Sequence, residues 1–105
     1  MIAIVNYGIG NLGSIQNMLI KVGSTDSVIT SEVTVIEQAD KIILPGVGAF
    51  DKGMEKIHES GLLQTLNKAA KEDKKPILGI CLGMQLLTKG SEEGSLPGLG
   101  WIDAF

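Results

Sequence analysis

The 105-residue chain holds one cysteine, Cys81, framed as Gly79-Ile80-Cys81-Leu82-Gly83. An apolar strand-like run, Pro76-Ile77-Leu78, leads in, and a helix-like run, Met84-Gln85-Leu86-Leu87, leads out. Glycines two residues either side of a nucleophile let a chain turn sharply from strand into helix, with the side chain exposed at the sheet's carboxyl edge. A thiol at a helix N-terminus feels the positive end of the macrodipole, which favours thiolate. The backbone N–H of Leu82, one residue on, is placed to stabilise an oxyanion. A solitary cysteine is most often a small buried hydrophobe; the glycine frame is what turns the reading toward a nucleophile.

An oxyanion hole needs two donors. Pro45-Gly46-Val47-Gly48 is an ordinary turn on composition. Its glycines also make it a source of the second N–H, from Val47 or Gly48, after a peptide flip that they ease. Gln85 lies one helical turn beyond Cys81, on the same face. There its amide either meets the polar end of a substrate or packs as a structural glutamine. His58, the only histidine, sits in Lys56-Ile57-His58-Glu59, which reads as a solvent-facing helix end and not as a base for Cys81. One histidine and one cysteine argue against a protein-only zinc site. Gly8-Ile9-Gly10-Asn11-Leu12-Gly13 matches the dinucleotide fingerprint, with Glu32 about twenty residues on. Against a nucleotide-binding module stand Asn6 and Tyr7, which separate strand from first glycine, and Asn17 at a helix position where a small residue is expected. The plain alternative is a tight turn bringing Tyr7 and Asn11 near the sheet edge.

The elements that must position these residues alternate. Ile2 to Val5, Asp26 to Thr30, Lys41 to Leu44 and Ile77 to Ile80 read as short buried strands. Leu12 to Val22 has helical spacing and ends at Gly23, a natural C-cap. Ser31 is placed to cap a short helix through Glu37. Asp51 to His58 and Leu62 to Glu72 are helical with Gly61 between them, and Leu82 to Thr88 follows the last strand. Lys71 to Lys75 reads as a solvated helix end. Strands alternating with helices predict an α/β, three-layer, doubly wound and mainly parallel sheet of flavodoxin-like kind, with the three glycine-rich loops at its carboxyl edge.

Composition narrows the function classes. Nine lysines, no arginine and twelve carboxylates give a net charge of −3, which argues against nucleic acid. One cysteine forms no internal disulfide, so a reducing, cytoplasmic setting is expected. No basic leader precedes Ile2, and no apolar run approaches the ~20 residues that cross a membrane.

Three segments in this order resemble the class I (triad-type) glutamine amidotransferases: Asn6-Tyr7-Gly8-Ile9-Gly10-Asn11-Leu12, Leu44-Pro45-Gly46-Val47-Gly48-Ala49-Phe50, and Gly79 to Leu87 around Cys81. Glu92-Glu93-Gly94 followed by Gly98-Leu99-Gly100 also fits. The likeness is nearest to the branch that forms glutaminase subunits of imidazole glycerol phosphate synthase, in histidine biosynthesis. It covers the whole chain as a single domain, 1–105, corresponding to the amino-terminal half of a family member.

The resemblance implies that Cys81 attacks the side-chain amide of glutamine. A thioester forms, ammonia leaves and water releases glutamate, with no cofactor and no metal. Leu82, Val47 and Gly48 supply the oxyanion donors; Gly46 and Gln85 hold the glutamine. Tyr7, Gly8, Gly10 and Asn11 lie on a loop facing the partner, a (β/α)8-barrel cyclase subunit that forms a heterodimer and receives the ammonia. The family's catalytic histidine and glutamate belong to its carboxyl-terminal half, and no residue here matches them. The chain by itself is therefore expected to be inactive and open to self-association through an uncovered sheet edge. Asn6 and Gly100-Trp101-Ile102-Asp103-Ala104 look more like a side branch that feeds ammonia to a sugar-modifying partner in surface-polysaccharide pathways.

Overall fold

A computed structural model of the chain describes residues 1–8, 12–80, 82–88, 90 and 97–101; the side chains at 84 and 85 also lie outside the description. Nine elements follow in order: β1 (Ile2–Val5), α1 (Leu12–Lys21), β2 (Ser27–Thr30), α2 (Val33–Gln38), β3 (Lys41–Leu44), α3 (Phe50–Ser60), α4 (Leu63–Lys71), β4 (Ile77–Gly79) and α5 (Leu82–Leu86). The strands form one parallel sheet in the order β2-β1-β3-β4. The chain therefore reverses direction across the sheet between β1 and β3, which is where doubly wound folds open a crevice at their carboxyl ends. This is the α/β architecture that the alternating pattern predicts.

The period-2 geometry of a strand decides which residues enter the core. Ala3 and Val5 of β1, with Ile42 and Leu44 of β3, face α2 to α5. On the helices the same cluster takes Ile36, Phe50, Met54, Ile57, Leu62, Leu66, Ala69, Leu82 and Leu86, at spacings of three, four and seven within α3. Full burial of each such aliphatic side chain contributes about 1.5–3 kcal/mol. Ile4 and Ile43 point to the other face, where α1 lies against β2. That second layer is thin. No residue of α1 is fully buried, Leu78 of β4 is 58% exposed, and an apolar groove of about 260 Å³ runs past Leu19, Ile43 and Leu78.

Two local expectations change. Ser31 does not cap α2. The helix starts one residue later than a Ser31 cap requires: the N-cap position is Glu32, which makes no side-chain cap bond and whose N–H donates to the hydroxyl of Thr30 at 3.0 Å. Lys75 is not part of a solvated run: its Nζ donates to the carbonyls of Ile36 at 3.2 Å and Glu37 at 2.5 Å, where α2 ends and a cation is favoured. Beyond these, Trp101 reaches α4, its indole N–H donating to Asn67 at 2.7 Å. Gly23 and Gly61 do close α1 and α3 in the left-handed region, at φ 94° and 75°.

Candidate active site

The carboxyl ends of β1, β3 and β4 carry the three glycine-rich loops, and hydrogen bonds join the last two. The N–H of Ile80 donates to the Leu44 carbonyl at 3.0 Å, and the N–H of Leu82 donates to the Gly46 carbonyl at 3.1 Å. The backbone on both sides of position 81 is thus bound to the turn that follows β3. Cys81 itself, with Ile9, Gly10 and Asn11, lies outside the described residues, as does the Gln85 side chain.

Gly83 shows what the glycine frame does. It sits in the first turn of α5, so it needs no left-handed backbone. A methyl group there would fall onto the Leu44 carbonyl oxygen. The glycine is required for space, because the helix begins against the backbone end of β3. Leu82 then packs inward, beside Gly53 of α3, where an added Cβ would come within 3.0 Å of its side chain.

The Pro45 turn divides in two. Pro45 and Gly46 are buried, whereas Val47 (56% exposed), Gly48 and Ala49 face outward. Gly46 has no room for a side chain: a Cβ would lie 2.5 Å from the Tyr7 hydroxyl oxygen and 3.1 Å from the Gly83 nitrogen. Gly48 adopts φ 103° with open space around it. A cleft of about 130 Å³ runs between Pro45, Gly46, Val47 and Ile80 on one side and Ser14, Ile15 and Met18 of α1 on the other.

Tyr7, expected on a loop that faces a partner, turns its ring inward. Its hydroxyl donates to the Pro45 carbonyl, and burial pushes its pKa up, which keeps the phenol protonated and able to donate. The sequence does carry a signal for this: Tyr7 shares the odd-numbered parity of Ala3 and Val5, the core-facing residues of β1. Gly8, next in the loop, is exposed at φ 100°, its N–H donating to the Asn6 side-chain oxygen at 3.2 Å. His58 lies exposed in the last turn of α3.

The dinucleotide reading fails at Gly13. In that fingerprint the third glycine lets helix and strand pack closely. Here a Cβ on Gly13 would meet nothing within 4 Å. Among the described residues there is also no group of three or more His, Cys, Asp or Glu that could hold a metal ion.

Residues 3–94 match the family described as glutamine amidotransferase class-I. The chain belongs to that family. The match covers all three loops, and it bears out the resemblance read from their residues. Among the amidotransferase relatives, imidazole glycerol phosphate synthase subunit HisH 2 of Methanococcus maripaludis is 57% identical over 104 residues, 99% of this chain and 51% of its own length. The HisH 2 subunit of Pseudomonas aeruginosa is 50% identical over 103 residues, 98% of this chain and 50% of its own. The HisH subunit of Sulfurimonas denitrificans is 52% identical over 103 residues, 97% and 49% respectively. The chain spans about half the length of these amidotransferase subunits.

Proposed function

We propose that this chain carries the nucleophile and the oxyanion donors of a glutaminase that delivers ammonia to imidazole glycerol phosphate synthesis. Cys81, as thiolate, attacks the side-chain carbonyl carbon of glutamine. The carbonyl oxygen takes up the negative charge, the C–N bond breaks, and ammonia leaves with a proton from a general acid. Water then cleaves the thioester to glutamate. Gly46 and Gln85 hold the substrate. The histidine and glutamate that serve Cys81 come, on this reading, from the half of the relatives beyond the matched region; exposed His58 has no part in it.

The observation that carries the proposal is the bond between Leu82 and Gly46. It brings the turn after β3 to the N–H that follows the nucleophile. It also occupies that N–H, so the arrangement seen is a closed one. Rotation of the Gly46–Val47 peptide withdraws the carbonyl from Leu82 and swings the Val47 N–H toward the same place. Two donors then face one oxyanion, and their removal one at a time costs about 10²–10³ in kcat in other acyl-transfer sites. Gly48, with open space and positive φ, is the compliant end of the turn.

A (β/α)8-barrel cyclase subunit is the partner that favours the rotated state and takes the ammonia, which makes the working form a heterodimer. The compartment is the cytoplasm, where an unpaired thiol stays reduced. The names of the relatives support the imidazole branch over the sugar-modifying one. Glutamine labelled with nitrogen-15 in its amide tests the assignment, using the intact subunit with its cyclase. Label in the imidazole product is expected; label in an amino sugar, or unreacted glutamine, overturns it.

A further inference from the structure

We propose that Tyr7 is a positioning residue for the oxyanion turn: its buried hydroxyl, donating to the Pro45 carbonyl, holds the Pro45–Gly46 peptide still so that rearrangement is confined to the Gly46–Val47 peptide. The proposal rests on the glutaminase reading and adds to it the device that fixes the pivot.

Five observations meet at this point. The Tyr7–Pro45 bond joins residues 38 apart in sequence, tying the loop after β1 to the loop after β3. Pro45 has its φ locked by its ring, which leaves ψ as the torsion of Pro45 that can turn its carbonyl, and the phenol holds that carbonyl. Gly46 must be glycine in part because the Tyr7 oxygen occupies the place beside its missing Cβ, at 2.5 Å. The next carbonyl, that of Gly46, is the one that occupies Leu82. Downstream, Gly48 meets nothing. The turn is therefore rigid up to Gly46 and free beyond it.

This asymmetry matters for catalysis. A donor stabilises an oxyanion in proportion to how well it is aimed before the reaction begins. A turn loose at both ends has many rotated states, few of which aim Val47 correctly. Anchoring the Pro45 carbonyl leaves one peptide to move between two positions. The oxyanion forms on thiolate attack and is absent from bound, unreacted glutamine, so loss of the anchor should appear in kcat and not in glutamine binding.

The test uses the intact glutaminase subunit with its cyclase, with each rate divided by the number of Cys81 thiols titrated by an irreversible alkylating agent. Tyr7→Phe removes one oxygen. Its kcat is expected to fall about ten- to a hundredfold, the scale of a misaligned reacting group, with KM within about twofold of wild type. An unchanged kcat per titrated thiol, or a fall matched in KM, overturns the proposal. Tetrafluorotyrosine at position 7 gives a second measurement that keeps the ring and the oxygen, with four hydrogens replaced by the slightly larger fluorine. It ionises at a lower pH, and an ionised oxygen cannot donate to Pro45. Its kcat should decline with rising pH where the native enzyme's does not, and identical pH profiles overturn the proposal. A wild-type complex that leaves glutamine intact removes the glutaminase reading and this proposal with it; an active wild type matched by Tyr7→Phe removes this proposal alone.

Discussion

The N–H of Leu82 donates to the carbonyl of Gly46 across 3.1 Å, so the residue that follows Cys81 is held by the turn that follows β3. On the proposed reading, this is a donor that an oxyanion needs, and it stays satisfied inside the protein until the turn rearranges. Such an arrangement suits a glutaminase that must not release ammonia without an acceptor. Its closed state requires no inhibitor, only a peptide carbonyl in the place of the substrate's oxygen.

The donor in the turn can be identified by deleting it. Val47→Pro removes the Val47 N–H and leaves the exposed position otherwise apolar. If Val47 supplies the second donor, kcat of the intact complex should fall about 10²–10³-fold with KM little changed. Steady-state glutamine hydrolysis checks this; a loss under tenfold would assign the donor to Gly48 instead.

Two glycines should respond in opposite directions. Gly83→Ala drives a methyl into the Leu44 carbonyl, a backbone atom that cannot yield, and should destabilise by about 1–3 kcal/mol. Gly13→Ala adds a methyl in open space on an exposed part of α1 and should stabilise by about 0.5–1 kcal/mol. Urea unfolding with unchanged slope reads both. Equal effects would mean that α5 does not approach β3 as described.

These glycines also show what the sequence could and could not reveal. The four strands, the five helices and their parallel order followed from short apolar runs alternating with helical spacing, because burial on both faces leaves that pattern directly in the residues. The functions of single glycines did not. The frame around position 81 reads as a device for turning sharply, yet Gly83 is needed because another strand's backbone passes beside it. That neighbour, Leu44, is 39 positions away and invisible to local pattern. Ser31 failed as a cap because the helix begins at Val33, which puts Glu32 at the cap position. Tyr7 was legible in principle from its parity with Ala3 and Val5, but a glycine-rich loop masks the continuation of a strand's alternation. Lys75 belonged to a run whose charge says solvent, and only the end of α2 explains its place.

The amino terminus gives a pH dependence with a definite shape. The Met1 ammonium donates to Asp40 at 2.6 Å and lies 3.4 Å from Asp26. The hydrogen bond with Asp40 is the largest cause that raises the pKa of the amine above its usual 8.0, and it lowers the pKa of Asp40 below its usual 3.8. The contribution of the amine is full below its unfolded pKa and is lost as pH rises through the raised value. That of Asp40 is present above its unfolded pKa and is lost as pH falls through the lowered value. The difference in thermal midpoint between wild type and Asp40→Asn should therefore be flat between about pH 3.8 and 8.0 and should shrink beyond both ends. Both groups are exposed, so the difference should be small and should diminish with added salt. A difference constant across the whole pH range would contradict the pairing.

Cys81 is proposed as a nucleophile aimed at the glutamine amide. Its most direct test is alkylation of the intact complex by a chloroketone analogue of glutamine, with the modified residue located by mass spectrometry. One equivalent of label is expected, on Cys81, incorporated faster than on the unfolded chain and slowed by glutamine. Label spread over other residues, or a Cys81 that reacts no faster folded than unfolded and ignores glutamine, would contradict it.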